Sequence, residues 1–244
     1  MNRFWPCLLV AVLVSAVATG EVADYVSIAD NTLTQQEKRD GWKLLFDGRD
    51  PGHWVTISGS PIGPAVEDGT LNPGACETYI LATKKKYENF ILKLDVKLSE
   101  NCNSGIFFRL FSLQPLLPER TDVGWNGLEV ALQQSETAGY HDTGAIYDLV
   151  QPTHNNLRPL GEWNHVELTC DRNMIMVVLN GSLVAWMDTD RWTVPYKRPD
   201  GSETKFDWVY RDFPRSGHIG LQNHGHQVWY KNIKVKELFR QTHK

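Results

Sequence analysis

The sequence predicts an all-β fold, a single sandwich or jelly roll of antiparallel strands. Short apolar runs alternate with polar residues at a period of two, as half-buried strands do. Glycine, proline, asparagine and aspartate interrupt these runs about every eight to twelve positions, which is the spacing of strands in a sandwich. No segment sustains the 3.6-residue period of an amphipathic helix, so a helical fold is excluded.

The predicted strands lie in one domain, from residue 41 to residue 240. The clearest is 90–98, and the more apolar segment 104–110 is expected to be more central in its sheet. Asn180-Gly181 predicts a two-residue hairpin turn between strands 174–179 and 182–187. The other predicted strands are 42–46, 54–57, 65–67, 79–82, 128–133, 163–170, 217–222 and 228–235, and long loops are expected at 111–126 and 188–216.

The N-terminus has the pattern of a secretory signal peptide over residues 1–20. Asn2-Arg3 is followed by an apolar run over 4–14 and then by small residues suited to cleavage. This run is too short to span a bilayer comfortably, so we expect export to the periplasm or beyond, without a stable membrane anchor. Residues 21–40 are polar and predict a loosely ordered leader with one helical turn at 34–37.

The composition limits the function classes. The 244 residues carry a formal net charge of −4, which argues against nucleic acid or an anionic membrane as a partner. The cysteines beyond the signal peptide are Cys76, Cys102 and Cys170, an odd set without zinc-site spacing, so buried thiols are the favoured interpretation. Nine tryptophans are enough to provide sugar-stacking faces, although most tryptophans belong to a core.

Glu129 is the most informative polar residue. Leu128, Val130 and Leu132 form the core face of a strand, and Glu129 lies in mid-strand on the opposite face. A carboxylate in this position is either a satisfied structural acceptor or a working group at the floor of a cleft, and the sequence leaves both alternatives open. A retaining glycosidase would need a second carboxylate about 5–5.5 Å away. Alternate positions on the strand hold Ala131 and Gln133 instead, so double displacement is poorly supported.

Other polar groups are expected near Glu129. Arg109 shares a predicted face with Phe107, and a buried guanidinium there requires a partner, for which Glu129 is the candidate. His141 lies in the loop that follows the strand. His224-x-His226 suggests a metal pair, but no third ligand follows from the spacing, and a polar hairpin end is the favoured interpretation of the cluster. We therefore assign no metal ligand and leave a divalent metal open.

Several motifs resemble the bacterial 3-keto-disaccharide hydrolase family, also described as 3-keto-glucoside 1,2-lyases and hydratases. They are GWKLLFDGRD, VEDGTL, CNSGIFFRL, GLEVAL, HDTGAIYDLV, GEWNHVEL, LNGSLV and GHIGLQNHGHQVWYKNIKVKEL, within residues 40–238. The resemblance implies a concanavalin A-like jelly-roll sandwich of two antiparallel sheets, with a site on the concave sheet. Two positions depart from the family pattern: Ala131, where the family has glutamine, and Asn223, where it has aspartate.

The resemblance implies an enzyme that cleaves 3-keto-glycosides. A 3-keto group acidifies the C2 proton, so one base can expel the C1 substituent by elimination, and water can then add. The implied catalytic residues are Glu129, His141 and His224, and the implied substrate-binding residues are Arg109, Tyr147, Lys205, Gln222 and Asn223. The alternative is a non-catalytic carbohydrate-binding sandwich. Placement of Arg109, Glu129, His141 and His224 on one face would favour the enzyme.

Overall fold

The structure is a computed structural model that describes residues 29–62, 65–76, 78–114 and 123–239. In this part of the chain there are thirteen strands. They are β1 (Trp42–Leu44), β2 (Trp54–Thr56), β3 (Val66–Glu67), β4 (Thr70–Leu71), β5 (Ile80–Thr83), β6 (Phe90–Leu98), β7 (Asn103–Leu110), β8 (Leu128–Gln133), β9 (Trp163–Asp171), β10 (Met174–Leu179), β11 (Ser182–Asp188), β12 (His218–Gln222) and β13 (Val228–Glu237).

The strands form two antiparallel sheets packed face to face, which confirms the predicted all-β jelly-roll sandwich. The eight-stranded sheet has the order β11-β10-β9-β6-β13-β4-β3, with β1 also paired to β13. The five-stranded sheet has the order β2-β5-β12-β7-β8. Sequence neighbours lie in different sheets at several points, as the long connections of a jelly roll require.

The core lies between the sheets and follows the predicted alternation. In β6 the residues from Phe90 to Leu98 alternate strictly between buried and half-buried. Ile106, Phe108 and Val130 supply the inner face of the five-stranded sheet to the same cluster. Burying a large aliphatic or aromatic side chain contributes about 1.5–3 kcal/mol, so this interior, and not a disulfide, holds the domain together. Cys102 and Cys170 are buried thiols and form no disulfide.

A second, smaller apolar cluster covers part of the outer face of the five-stranded sheet. Its members are Ile80, Ala82, Phe107, Leu110 and Val123. Val123 belongs to a 3-10 turn, Val123–Asn126, and the other 3-10 turns are Pro73–Cys76, Thr189–Arg191 and Tyr210–Asp212. The remainder of this outer face is open and polar.

The segment before β1 is more ordered than expected from residue 30 onward. The helix α1 (Gln35–Arg39) begins at Thr34, whose side chain forms a capping box with Glu37. Lys231 Nζ donates to Asp30 Oδ2 at 2.7 Å, so the segment is attached to β13. The helical turn expected at 34–37 is present, and β13 supplies partners to this stretch that the local sequence does not reveal. The predicted signal peptide lies outside the described residues.

The predicted hairpin turn is present, because Asn180 and Gly181 both have positive φ and join β10 to β11. None of the helices in the described ranges is long and apolar enough to cross a membrane.

Candidate active site

A cavity of about 150 Å³ lies on the open part of the outer face of the five-stranded sheet. The strands β7, β8 and β12 form its floor, and the turn 123–126 and the segment 205–206 form its wall. The residues that line it are Tyr79, Asn103, Phe107, Gly124, Trp125, Glu129, Tyr147, Lys205, Phe206, Gln222 and His224. Five of the residues predicted from the sequence meet here: Glu129, Tyr147, Lys205, Gln222 and His224.

A larger cavity, of about 630 Å³, contains none of the predicted site residues. It is bounded by loop residues at 98–101, 134–136 and 155–164. The smaller cavity is the better candidate, because it alone combines a carboxylate, an ammonium, an imidazole and two phenols facing one space.

Glu129 reaches the cavity because Gly105 has no side chain. Glu129 is directly opposite Phe107 on β7, and its side chain bends over Gly105, two residues away on that strand. A Cβ atom at Gly105 would lie 2.1 Å from Glu129 Oε1 and 2.7 Å from Cδ. The glycine of the Asn103-Ser104-Gly105 motif therefore leaves the space that the carboxylate occupies.

Lys205 is carried to the cavity by an antiparallel arm, residues 194–206. Tyr196 N donates to Phe206 O at 2.9 Å, and Arg198 N donates to Ser202 O at 2.8 Å, which pairs the two halves of the arm. The Lys205 Nζ atom lies 4.4 Å from the ring centroid of Tyr147 and 5.1 Å from that of Phe206. The ammonium is thus held above aromatic faces, an arrangement that stabilises a cation.

Asp148 attaches this arm to the rest of the site. Its Oδ2 atom accepts from Lys205 N at 2.7 Å and from Thr204 Oγ1 at 2.8 Å. Its backbone carbonyl accepts from Arg198 Nη2 at 2.6 Å. One residue therefore contacts both halves of the arm, and this fixes the backbone from which Lys205 extends.

His141 lies behind the cavity and not on its wall. Its ring stacks on Tyr147 with the centroids 4.6 Å apart, and its Nε2 atom is 3.5 Å from Asp148 Oδ1. The loop before it is fixed by Asp142, which accepts from Thr137 Oγ1 at 2.6 Å and from Gly139 N. Burial alone would raise the pKa of Asp142, but these hydrogen bonds outweigh it and hold the pKa below its usual value.

The end of β12 supplies Gln222 and His224. Gln222 is buried, and its Nε2 atom donates to Tyr79 Oη at 2.8 Å. Tyr79 also packs edge-on against His224, with ring centroids 6.2 Å apart. Asn223 is not among the cavity residues: its side-chain oxygen accepts from Gly225 N at 3.0 Å and shapes the turn that presents His224.

The predicted pairing of Arg109 with Glu129 is wrong. Gly220 pairs with Phe107 and His218 with Leu110, so β7 contains one extra residue, a bulge, at this point. Arg109 has a φ of 50° there, and Leu110, not Arg109, shares the outer face with Phe107. The guanidinium is buried and donates to the Arg172 carbonyl, between β9 and β10. Burial lowers its pKa.

Six lining residues were not predicted as site residues: Tyr79, Asn103, Phe107, Gly124, Trp125 and Phe206. The sequence does contain a signal for Asn103, because this residue belongs to the same Asn103-Ser104-Gly105 motif as Gly105. Trp125 and Phe206 pack edge-to-face at 4.9 Å from two loops far apart in sequence, and no local pattern indicates such a pair.

The described residues contain no group of three or more His, Cys, Asp or Glu side chains arranged to hold a metal ion. His224 is at the cavity, whereas His226 is not among the residues that line it. The two imidazoles belong to the turn after β12 and not to a strand, in which residues two apart would share a face.

Comparison with known proteins identifies the family of the chain. Residues 41–236 match the 3-keto-alpha-glucoside-1,2-lyase-like domain family. The chain belongs to that family. A curated relative in Bacteroides thetaiotaomicron, named 3-keto-disaccharide hydrolase, is 25% identical over 85% of this chain and 78% of its own length.

Two solved structures of putative glycosyl hydrolases from Parabacteroides distasonis share the architecture. One has a TM-score of 0.68 at 25% identity and covers 86% of this chain and 100% of its own. The other has a TM-score of 0.66 at 30% identity and covers 81% and 99%. Together with the family membership, these likenesses support a carbohydrate-active enzyme as the class of protein.

Proposed function

We propose that the chain is an exported enzyme that cleaves 3-keto-glycosides by base-assisted elimination. The observation that carries this proposal is the composition of the cavity. Among its described lining residues Glu129 is the one carboxylate, and it faces the same space as the Lys205 ammonium and the His224 imidazole. One base with nearby donors suits proton abstraction next to a carbonyl, and it does not suit two-carboxylate hydrolysis.

The proposed reaction begins at C2 of the 3-keto sugar. Glu129 takes the C2 proton, and the electrons of that bond form the C1–C2 double bond while the C1–O bond breaks. Lys205 donates to the C3 oxygen and stabilises the negative charge that develops on it. The departing oxygen takes a proton from His224 or from the Tyr147 hydroxyl. Addition of water across the new double bond then gives the free 3-keto sugar, so the sum of the two steps is hydrolysis.

The other side chains fit a binding role. Gln222 and Asn103 offer amides to sugar hydroxyls, and Trp125 and Tyr147 offer ring faces. The cavity volume of about 150 Å³ suits one sugar ring and leaves the aglycone outside. The 3-keto substrate is favoured over an ordinary glycoside because the cavity supplies no opposed second carboxylate for it.

The test is an assay on purified full-length protein with nitrophenyl 3-keto-β-glucoside. We expect release of nitrophenol, together with exchange of the C2 hydrogen when the reaction runs in deuterium oxide. The matched glucoside with a 3-hydroxyl group is the control and should remain intact, because its C2 proton is not acidic. A parallel reaction with a chelator determines whether a divalent metal takes part.

The competing function is a carbohydrate-binding sandwich without catalysis. It predicts saturable binding of the 3-keto-glucoside without nitrophenol release and without exchange at C2. That result would overturn the proposed elimination. Release of nitrophenol without exchange at C2 would still indicate a glycoside-cleaving enzyme, but it would show that the reaction does not begin with removal of the C2 proton.

A further inference from the structure

A third cavity lies beside β11, at the edge of the eight-stranded sheet, and plays no part in the proposed reaction. We call it the edge groove. Its volume is about 290 Å³, at the lower end of the range of about 300–1,000 Å³ for small-molecule sites. Its principal lining residues are Tyr140, Gln151, Trp186, Arg191, Trp192 and Arg198.

Trp186 gives the edge groove an aromatic face. It is 48% exposed, and it is the one exposed tryptophan in the described part of the chain. Trp192 is buried and lines the same cavity. A single exposed apolar residue needs no explanation, but an indole at the rim of a polar cavity is a typical stacking surface for a ring with one apolar face.

The same wall presents hydrogen-bond donors. The Arg191 side chain makes no hydrogen bond or ion pair with any described residue. The Arg198 side chain is only 9% exposed and lies against the Tyr140 ring, 3.8 Å from its centroid. Its Nη atoms bind protein oxygens, whereas its Nε atom is buried and has no partner among the described residues. This Nε atom is closed to solvent, so the donor on this wall that a ligand can reach is the exposed Arg191.

The charges of the edge groove are balanced. Asp188 and Asp200 line it together with the two arginines. The Oδ1 atom of each carboxylate already accepts, from Asn173 and from Ser202, whereas neither Oδ2 atom has a hydrogen bond to a described residue. The edge groove therefore offers both donors and acceptors, in surroundings without a strong net charge. This combination suits a neutral ligand rich in hydroxyl groups, which both donate and accept, better than an acidic one.

We propose that the edge groove is a second sugar-binding site, which takes a neutral pyranose ring stacked on Trp186. Hydroxyl and ring oxygens accept hydrogen bonds from Arg191, and hydroxyl groups donate to the Oδ2 atoms of Asp188 and Asp200. The proposal rests on the proposed function only for the choice of carbohydrate as ligand class. The site is distinct from the cavity that holds Glu129, although Arg198 belongs to the 194–206 arm that carries Lys205, and Asp148 binds both residues.

The test uses 5-fluorotryptophan incorporated into the full-length protein and followed by fluorine NMR. Trp186→Phe and Trp125→Phe identify the signals of the edge groove and of the candidate active site. In a titration with cellobiose, we expect the Trp186 signal to shift and saturate in the millimolar range. Sorbitol, an acyclic polyol that cannot stack as a ring, should leave it unchanged.

Variants define the contacts. Trp186→Ala, followed through the Trp192 signal, should weaken cellobiose binding about tenfold. Arg191→Ala should weaken it by about the same factor, because a hydrogen bond from a charged donor is lost. Tyr196→Ala is the control, since Tyr196 is 53% exposed but does not line the groove.

A Trp186 signal that stays fixed, or that responds equally to sorbitol, would overturn the proposal. Binding that survives both Trp186→Ala and Arg191→Ala unchanged would overturn it as well. The Trp125 signal and the nitrophenol assay report on the other cavity, so failure of the proposed reaction would be recognised separately.

Discussion

Asp95 and Glu129 occupy equivalent positions in two different sheets, and the structure gives them different surroundings. Each is a carboxylate in mid-strand on the face opposite the core, one in β6 and one in β8. Asp95 accepts from His165 Nδ1 at 2.8 Å and from Asn232 Nδ2 at 2.6 Å, both on neighbouring strands. Glu129 instead extends over Gly105 into a cavity.

The difference arises from the residues on the adjacent strands. Asp95 is directly opposite His165 on β9 and Lys231 on β13, so its face is a continuous layer of polar partners. Glu129 has Phe107 opposite it and a glycine diagonal to it. Long polar neighbours make a carboxylate structural, and small neighbours leave room beside it for a ligand. The sequence of a single strand therefore does not reveal whether its carboxylate is structural or faces a cavity.

The strongest test of this comparison is Glu129→Gln. The substitution preserves shape and removes basicity, so turnover of a 3-keto-glucoside should fall by about 10²–10⁴ while the melting temperature changes little. Glu167→Gln is the matched control, because Glu167 is a strand carboxylate of the other sheet, paired with Lys93 at 2.9 Å. It should retain full turnover. Loss of folding in Glu129→Gln would show that Glu129 is structural, like Asp95.

Gly105→Ala should reduce turnover by about 10–10² without unfolding the protein. The atoms nearest to the added Cβ all belong to the Glu129 side chain, which can rotate away, so the backbone need not move. A small displacement of a catalytic group is costly to the rate. In a double variant that also carries Glu129→Gln, Gly105→Ala should cause little further loss of turnover, because both changes act on the same side chain.

Gly52→Ala is the matched control for Gly105→Ala. Its added Cβ would lie 2.9 Å from Asp50 Oδ1, so it also displaces a carboxylate, but an exposed one. It should leave turnover unchanged. Equal losses in the two variants would mean that the Gly105 effect is a general effect of adding a methyl group and not one of placing Glu129.

His141→Gln should lower turnover only about two- to tenfold. His141 was predicted to be catalytic, but it contacts the cavity through Tyr147, on which it stacks. The measurement is kcat and KM for the 3-keto-glucoside, with His154→Gln, a change at another exposed histidine, as the reference. A loss of 10² or more would restore a direct role for His141 in the reaction.

The sequence was sufficient for the architecture and for part of the lining of the candidate cavity. Period-two alternation placed β6 and β9, and Asn180-Gly181 placed the hairpin, because these signals are local. Glu129 was selected because a lone carboxylate lies in mid-strand on the face opposite the core. Arg109 was misplaced because one bulge changes which face a side chain occupies, and the bulge depends on the pairing of β7 with β12.

The residues that form the wall of the candidate site could not be predicted from the sequence, for a related reason. Tyr79, Trp125 and Phe206 come from three separate loops, and only the packing of the sandwich brings them together. The 194–206 arm is held by Asp148, more than fifty residues away in the chain, and no periodicity links the two. Contacts of this kind depend on tertiary structure and leave no local pattern.

Asp95→Asn should have the smallest effect on activity and should act on stability alone. Burial by itself would raise the pKa of Asp95, but the hydrogen bonds from His165 and Asn232 outweigh it and hold the pKa below 3.8. A lowered folded-state pKa stabilises the protein above about pH 4, and this contribution is lost as the pH falls through the folded-state pKa. The variant should therefore lose about 1 kcal/mol of unfolding free energy, measured by urea denaturation at pH 7, and less near pH 3.

Asp212→Asn, a change at an exposed surface carboxylate, is the control and should lose neither stability nor turnover. A fall in turnover in Asp95→Asn with unchanged stability would contradict the contrast between the two carboxylates.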